Sequence, residues 1–546
     1  YSTGGTKSLT VDKNGFVYNS GSGNITTNTI FGLNALSVNI TGNSNTAIGT
    51  NALRFNTTID NTAVGTNALT NNTSGTTNTA IGKDTLFQNT IGVGNSSLGY
   101  RALFLNTTGS SNTAIGLNTL YNNRNINNTA VGANALYENV NGDANVAIGV
   151  NTLRSSTGGT DSVAIGVNAL FLNVTGSTNT AVGVGSQQNS LVVENTSIGY
   201  RSLYLNTVGL QNTAIGTSTV RSNTTGSFNT GVGYGALQLN TTGNHNVGLG
   251  RLGGYGNTTG TGNISIGSNT MFTSSSGSSN IAIGYQSMFS NVSGNNNVNV
   301  GYESSFFLTG GSSSVNVGFR AGYRNVTGST NVAVGQESLF NNLVGSNVGV
   351  GYRSLYTNTS GTLNTAIGLE SLFLNTTGTT NTVIGYRAGY QLINGSNNTI
   401  IGANSVVPSG LTNSLVLSDG NGVVKLSADS SHHLFIPNSP SSGSTSDRIL
   451  TRSTSGEIRE VDTTTVVLKT KSGVVVFTSF TGSPYTYDVV FVTPFTDALY
   501  SPQIIGYDSR SWTISNVTSS GFRIETNSTT ILTNNVYWTV TKHGEN

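Results

Sequence analysis

The sequence predicts an all-β chain: a parallel β-solenoid (β-roll or β-helix) of 23 coils of about 17 residues, then a neck, then a C-terminal β-sandwich. Three observations carry this expectation. Twenty-three glycines, from Gly32 to Gly402, each follow a bulky apolar residue, and their spacing is 17 in eighteen intervals and 16 in four. A period this short and strict is that of stacked coils. Columns of like residues run at fixed phases within the repeat, and all six prolines lie beyond Gly402, outside the region where each residue must donate to a ladder.

Residues 1–31 lack the repeat. Ser8 to Tyr18, with Asn14-Gly15 between apolar runs, reads as a hairpin in an N-terminal cap or connector. A chain that starts at Tyr1 reads as a processed product or a fragment. Residues 32–402 form the predicted shaft. The residue before each glycine is apolar (Ile48, Val64, Ile81, Leu98), and four before it stands Asn in all coils but two, where Ser162 and Ser314 replace it. Leu dominates four residues after the glycine, and seven after it Asn usually opens a turn such as Asn106-Thr-Thr-Gly109. This pattern predicts two short extended segments per coil, joined by Gly- and Asn-containing turns. The coils near Gly183–Asn195 and Arg251–Tyr255 depart from it, which predicts an irregular turn or a surface bump there.

Two columns predict in-register stacking independently of the glycines. Five residues after the glycine, nine successive coils carry an aromatic, from Tyr255 to Tyr390. Two residues after it, six successive coils read Glu303, Arg320, Glu337, Arg353, Glu370 and Arg387, a structural charge ladder, with Asp84 and Arg101 as an earlier pair. Alternating signs at one phase are favourable only if neighbouring coils lie about 4.8 Å apart. At that rise the shaft is on the order of 110 Å long. Residues 403–465 read as neck and linker, with a hairpin over Ser414–Leu426, a Ser/Pro/Gly linker over Pro437–Asp447 and a charge-dense stretch from Arg448 to Asp462. Residues 466–546 hold both tryptophans and alternating strands such as Val489–Val492, Ser511–Ile514 and Val536–Val540, a compact β-sandwich tip.

Composition narrows the function classes. Only 8% of residues are charged, and 23 basic against 21 acidic residues give a net charge of +2, no footprint for nucleic acid. No apolar stretch approaches the length of a membrane span. Cysteine is absent, which removes disulfides, thiolate metal sites and cysteine nucleophiles.

The motifs Asn145-Val-Ala-Ile-Gly149 and Ser162-Val-Ala-Ile-Gly166 resemble the head repeats of trimeric autotransporter adhesins, which form trimers of left-handed β-rolls. The longer Asn-Thr-Ala-Ile-Gly, Ala-Leu, Asn-Thr-Thr-Gly pattern is similar to fibre proteins of phages and other viruses. The run from Pro494 through Gly506-Tyr-Asp-Ser-Arg-Ser-Trp512 to Gly521–Ser528 resembles a lectin-like tip of such fibres. These resemblances imply a homotrimeric, extracellular fibre on a virion or cell surface, held by an anchoring protein at its N-terminal end. Its partner would be a cell-surface glycan or protein receptor, with no cofactor. A cellular adhesin or extracellular filament subunit is the alternative, and a tailspike polysaccharide depolymerase the third reading.

Candidate chemistry follows. Glu303, Glu337 and Glu370 recur on alternate coils roughly 9–10 Å apart, near an inverting glycosidase spacing, but the intervening arginines favour charge pairing over catalysis. His432 and His433 are adjacent, so one per chain could face a trimer axis and bind metal; exposed neck histidines are the preferred reading. Sequons at Asn56, Asn72, Asn106, Asn173, Asn240 and Asn375 recur at one phase, and turn chemistry explains them without a sugar. In the tip, Tyr485, Tyr487, Tyr507 and Trp512 with Asp508 and Arg510 supply the aromatic faces and directional polar groups that sugar recognition needs, with Trp512 equally placed to be a core tryptophan.

Overall fold

The computed structural model describes residues 9–11, 17–19, 27–431, 433–436, 448–452, 458–461, 471–475, 486–490, 500–506, 512–518, 520–526 and 536–542. Every regular element among them is a β-strand. The chain divides into two compact units, residues 1–346 and 347–546.

In the first unit a three-residue strand recurs once per coil, from Thr29–Phe31 to Val332–Val334. Each strand pairs in parallel and in register with the next, Ala47 opposite Ala63 and Ala147 opposite Ala164. The second unit opens with the same pattern: Val348–Val350, Thr365–Ile367, Thr382–Ile384 and Thr399–Ile401 pair in sequence, then Leu415–Ser418 adds a further parallel rung beyond Gly402. Twenty-three three-residue strands thus recur between Thr29 and Ile401, the parallel solenoid that the glycine period predicts.

The interior is thin, so its residues are small. The middle residue of each strand, usually Ala, is buried, and Leu from four positions after the glycine joins it in one core cluster, as Ala147 and Leu153 do. Glycine is required for two reasons. Gly49 has φ 129°, which L side chains rarely adopt, and a Cβ there would lie 2.6 Å from the carbonyl carbon of Gly65 in the next coil.

The second predicted extended segment is not a strand. After the glycine the chain turns, and residues two and four positions on take left-handed φ, 59° at Asn51 and 50° at Leu53. In a strand Ala52 and Leu53 would face opposite sides; with the φ sign alternating, both are buried. Left-handed leucine costs about 1–2 kcal/mol, which full burial of the side chain, worth about 1.5–3 kcal/mol, offsets. Inter-coil bonding continues through this turn, with the Leu53 N–H donating to Ala68 (3.0 Å) and the Phe55 N–H to Thr70 (3.1 Å).

Asparagine closes the rest of the coil in two buried ladders. Four residues before the glycine, the Asn78 N–H donates to Asn61 Oδ1 (3.0 Å) and Asn78 Nδ2 to the Gly92 carbonyl of the next coil (2.8 Å). Seven after it, Asn89 Nδ2 donates to Asn72 Oδ1 (2.8 Å) one coil earlier and to the carbonyl of its own turn glycine, Gly92 (3.1 Å). Outside them Thr207, Thr224 and Thr241 each donate a hydroxyl to the carbonyl at the same phase one coil on, at 2.9–3.1 Å.

The expected irregularities at Gly183–Asn195 and Arg251–Tyr255 do not break the stack. Thr180 still faces Thr196, and Val247 faces Ile264. These coils change their side chains and keep their backbone path.

Beyond the parallel rungs the pairing becomes antiparallel. Leu415–Ser418, Val424–Ala428, Leu434–Ile436, Arg448–Arg452 and Ile458–Val461 form a meander, the first two being the expected hairpin. Asp419 accepts the N–H groups of Asn421 and Val423, both at 3.0 Å, which holds its carboxyl below the usual carboxylate range. The linker 437–447 lies outside the described residues. At the other end Leu9–Val11 pairs antiparallel with Val17–Asn19, as the hairpin reading expects, while Asn14-Gly15 lies outside the described residues.

The C-terminal residues form two three-stranded antiparallel sheets. One orders Lys471–Val475, Val536–Lys542 and Tyr500–Gly506; the other orders Thr486–Val490, Gly521–Thr526 and Trp512–Thr518. In the second, Val489 stands opposite Phe522, and with Ile524 both are buried on one face. On the other face Arg523 clamps Asp488 through two bonds of 2.6 and 2.7 Å.

Candidate functional site

Because the interior columns bond to themselves, the chemistry left to the solenoid lies on its outward columns. The bulky residue before each glycine is the most regular apolar position in the sequence, and it faces outward. Ile48, Ile81, Leu98, Ile115, Ile148, Ile165, Ile198, Ile215 and Val232 are 36–48% exposed. The residue after the glycine adds a second exposed column, with Tyr100, Leu117, Val150, Val167, Val184 and Tyr200. One face of the parallel sheet therefore presents side-by-side apolar rows.

Around the turn, the aromatic column five after the glycine is a stack. From Tyr255 through Phe272, Phe289, Phe306 and Tyr323 to Phe340, successive ring centroids are 4.9–5.5 Å apart. In the second unit Tyr356, Phe373 and Tyr390 continue at 5.0–5.2 Å. An earlier run escaped the sequence reading, although the same phase counted from Gly82 would have found it. Phe87, Phe104, Tyr121 and Tyr137 stack at 5.0–5.3 Å, and Arg154 then places its guanidinium 5.6 and 5.8 Å from the rings of Tyr137 and Phe171.

The charge column is more specific than a ladder of alternating signs. Arg320 Nε lies 2.7 Å from Glu303 Oε2 and Arg387 Nε 2.6 Å from Glu370 Oε2; Arg101 stands 4.0 Å from Asp84. In each pair the arginine reaches back to the carboxylate one coil earlier. Glu303 and Glu337 are buried against this wall, and the hydrogen bonds that Arg320 and Arg387 donate to Glu303 and Glu370 raise the arginine pKa values. Each arginine is also held between two rings. Arg353 sits 5.0 and 5.2 Å from the Tyr352 and Tyr356 centroids, and Arg101, Arg201, Arg320 and Arg387 repeat this clamp. The sequence signal is aromatic-Arg-x-x-aromatic directly after the glycine, as in Tyr352-Arg-Ser-Leu-Tyr356, a motif that joins the charge column to the aromatic column.

The sequon asparagines are structural. Asn56, Asn72, Asn106, Asn173, Asn240 and Asn375 are fully buried, and each commits Nδ2, the atom a glycan would need, to a carbonyl of its own turn at 2.7–3.2 Å. In the neck, His433 Nδ1 lies 3.0 Å from Asp429 Oδ2, and His432 is outside the described residues. Among the described residues no group of three His, Cys, Asp or Glu side chains converges as a metal site would require.

The tip candidates are only partly placed. Tyr485, Tyr507, Asp508 and Arg510 lie outside the described residues. Tyr487 is half-buried, opposite Ile524 and on the same side of its strand as Val489. Trp512 begins a strand and pairs with Thr526. On the same sheet Asp488 and Arg523 occupy each other; the guanidinium holds the Asp488 carboxyl below its usual range. No helix among the described residues is long and apolar enough to cross a membrane. The chain matches no family model, no curated protein and no solved structure.

Proposed function

We propose that the chain is a structural fibre subunit that assembles as a homotrimer through its solenoid and presents its C-terminal sheets to a receptor on a host cell surface, a glycan by preference. The observation that carries this reading is the outward apolar row of the parallel sheet. Rows such as Ile115, Ile148 and Ile165 beside Leu117, Val150 and Val167 form a continuous apolar surface of the kind that marks an interaction site. A second copy offers rows with the same rise, so side chains from neighbouring chains can interdigitate along their length. Trimerisation would also multiply weak tip contacts by avidity. The resemblance to fibre proteins and adhesin heads supports the same reading.

Sedimentation of the chain tests assembly, with a three-chain mass expected. Replacing Ile115, Ile148 and Ile165 by Asp should give monomer that retains its β-sheet signal. Glycan-array binding by the chain, lost on Trp512→Ala or Arg510→Ala, tests the tip. A monomeric native chain, or array binding indifferent to both substitutions, overturns the corresponding half of the proposal.

A further inference from the structure

Five arginines sit two positions after a repeat glycine and between two aromatic rings: Arg101, Arg201, Arg320, Arg353 and Arg387. Four of them follow a coil whose residue at the same phase is acidic, namely Asp84, Glu303, Glu337 and Glu370. Arg201 follows Gly185. Its guanidinium is clamped like the others, 5.2 and 5.4 Å from the Tyr200 and Tyr204 centroids, and its side chain is exposed. No carboxylate lies within ion-pair range of it among the described residues.

We infer that the outer face of this coil binds the carboxylate of an acidic saccharide, in the place that an Asp or Glu side chain takes beside the other clamped arginines. The fold itself demonstrates what this slot accepts. Arg320 and Arg387 hold carboxylates at 2.7 and 2.6 Å from the same backbone phase, and a planar fork fixed by two rings is suited to bidentate carboxylate binding.

The position above Gly185 is free of steric conflict. A Cβ there would make only ordinary contacts, 3.4 Å from Gln188 Oε1, 3.5 Å from Arg201 Cγ and 3.5 Å from the Tyr204 ring. Gln188 stands where the neighbouring coils place Phe171 and Tyr204, and brings an amide in exchange for a ring. Tyr200 belongs to the apolar rows proposed for assembly, so the ring that borders the slot is that of Tyr204, half-buried and 3.5 Å from the added Cβ, against which a pyranose can pack. A carboxylate beside a polar amide and an aromatic ring is the pattern of an acidic sugar, and this site is independent of the C-terminal tip.

Saturation-transfer NMR with sodium glucuronate tests the inference, with glucose as the neutral control and N-acetylaspartate amide as the peptide-like acid. Glucuronate should receive saturation with a dissociation constant of about 1–10 mM, as one charged contact and one ring face would give; glucose should receive none. Gly185→Glu supplies the missing carboxylate from within, in a backbone state that Glu303 and Glu370 already adopt at φ 52°. It should abolish the signal while the β-sheet circular dichroism is unchanged. Arg201→Gln should weaken binding about tenfold or more, since a charged hydrogen bond is removed. Saturation that persists in Gly185→Glu, or its absence from the native chain at about 10 mM, overturns the site. Stronger saturation of N-acetylaspartate amide than of glucuronate overturns the assignment to a sugar.

Discussion

Ser190→Asn should stabilise the solenoid locally. Four coils have 16 residues, and three of them carry Asn seven positions after the glycine, at Asn56, Asn123 and Asn342; the fourth carries Ser190. In those three the Nδ2 donates to the carbonyl two residues on, Thr58 (2.8 Å), Asn125 (2.9 Å) and Val344 (2.5 Å). The corresponding carbonyl here is Val192, which accepts Asn179 Nδ2 at 2.6 Å, just as Thr58 accepts Asn45 Nδ2 at 2.7 Å alongside Asn56. With serine in place, Ser190 Oγ and Asn173 Oδ1 of the preceding coil are both buried without a hydrogen-bond partner. An asparagine would bridge Val192 and Asn173 as Asn72 bridges Gly75 (2.8 Å) and Asn56 (2.6 Å).

A buried unpaired polar atom costs about 1–3 kcal/mol, and a hydrogen bond made on folding returns about 0.5–1.5 kcal/mol net. After the cost of ordering the longer side chain, a gain of about 1–2 kcal/mol remains, a factor of about 5–30 in the local opening equilibrium. Because coils interact mainly with their neighbours, the gain should stay local. Hydrogen exchange read by mass spectrometry on peptides spanning 183–207 should slow by that factor, while peptides around 281–300 keep their rates. Ser190→Ala separates the two contributions: it removes the unpaired Oγ and leaves Asn173 as before, so exchange should slow by only part of the Ser190→Asn factor. Unchanged or faster exchange in Ser190→Asn would refute the idea that the asparagine ladder adds stability beyond backbone stacking.

Three further outcomes are expected. Gly166→Ala should disrupt its coil, because φ is 130° and the added Cβ would stand 2.6 Å from the Gly183 carbonyl carbon; loss of exchange protection on residues 163–183 reads this out, and a native-like profile contradicts the close-approach argument. The Asp488 carboxyl titrates below its ordinary value in the folded tip, through its hydrogen bonds with Arg523, so its stabilising contribution is complete above the ordinary carboxylate range and declines as pH falls through the depressed value. Both tryptophans lie in the C-terminal strands, so fluorescence-detected denaturation of the native chain and Asp488→Asn should differ at neutral pH and converge in acid. Expressed through a glycosylating secretory pathway, folded protein should carry no glycan at Asn106 or Asn240, whose Nδ2 atoms are buried and bonded; peptide mass spectrometry showing either modified in folded material would contradict the buried ladder.

What was legible in the sequence follows from how the repeat is built. Register, coil number and the neck hairpin could be read because a parallel stack repeats each backbone demand at one phase, and Gly49 or Asn78 answers the same demand as its neighbours. The direction in which side chains face was harder to read. Alternation predicts that adjacent Ala52 and Leu53 diverge, yet left-handed φ at Leu53 turns both inward, and no propensity scale assigns that conformation to leucine. That the residue before the glycine is apolar was plain, but its phase does not say which way it faces; it is exposed, since the smaller Ala one position earlier fills the narrow interior. In the charge column, phase alone revealed opposite signs; the clamping rings at Tyr352 and Tyr356 were separate positions until the turn brought them around Arg353. The tip candidates fall in the aperiodic C-terminal sequence, where no period constrains the reading.

The coil from Gly183 to Gly199 joins both halves of this reasoning. Inside, Gln187 replaces the usual leucine and Ser190 the usual asparagine, and Gln187 Oε1 is buried without a partner, as is Ser190 Oγ. Outside, Gly185 and Gln188 replace an acid and a ring. One coil thus combines the least satisfied interior with the open arginine slot, as expected where binding surfaces are drawn from the less stable parts of a fold. The two features act on opposite sides of the backbone and are separable. Ser190→Asn should raise exchange protection and leave glucuronate binding intact, whereas Gly185→Glu should close the slot without mending the interior. If Ser190→Asn instead weakened binding, the slot would depend on the looseness of its coil, and rigid complementarity to a carboxylate would be the wrong account of it.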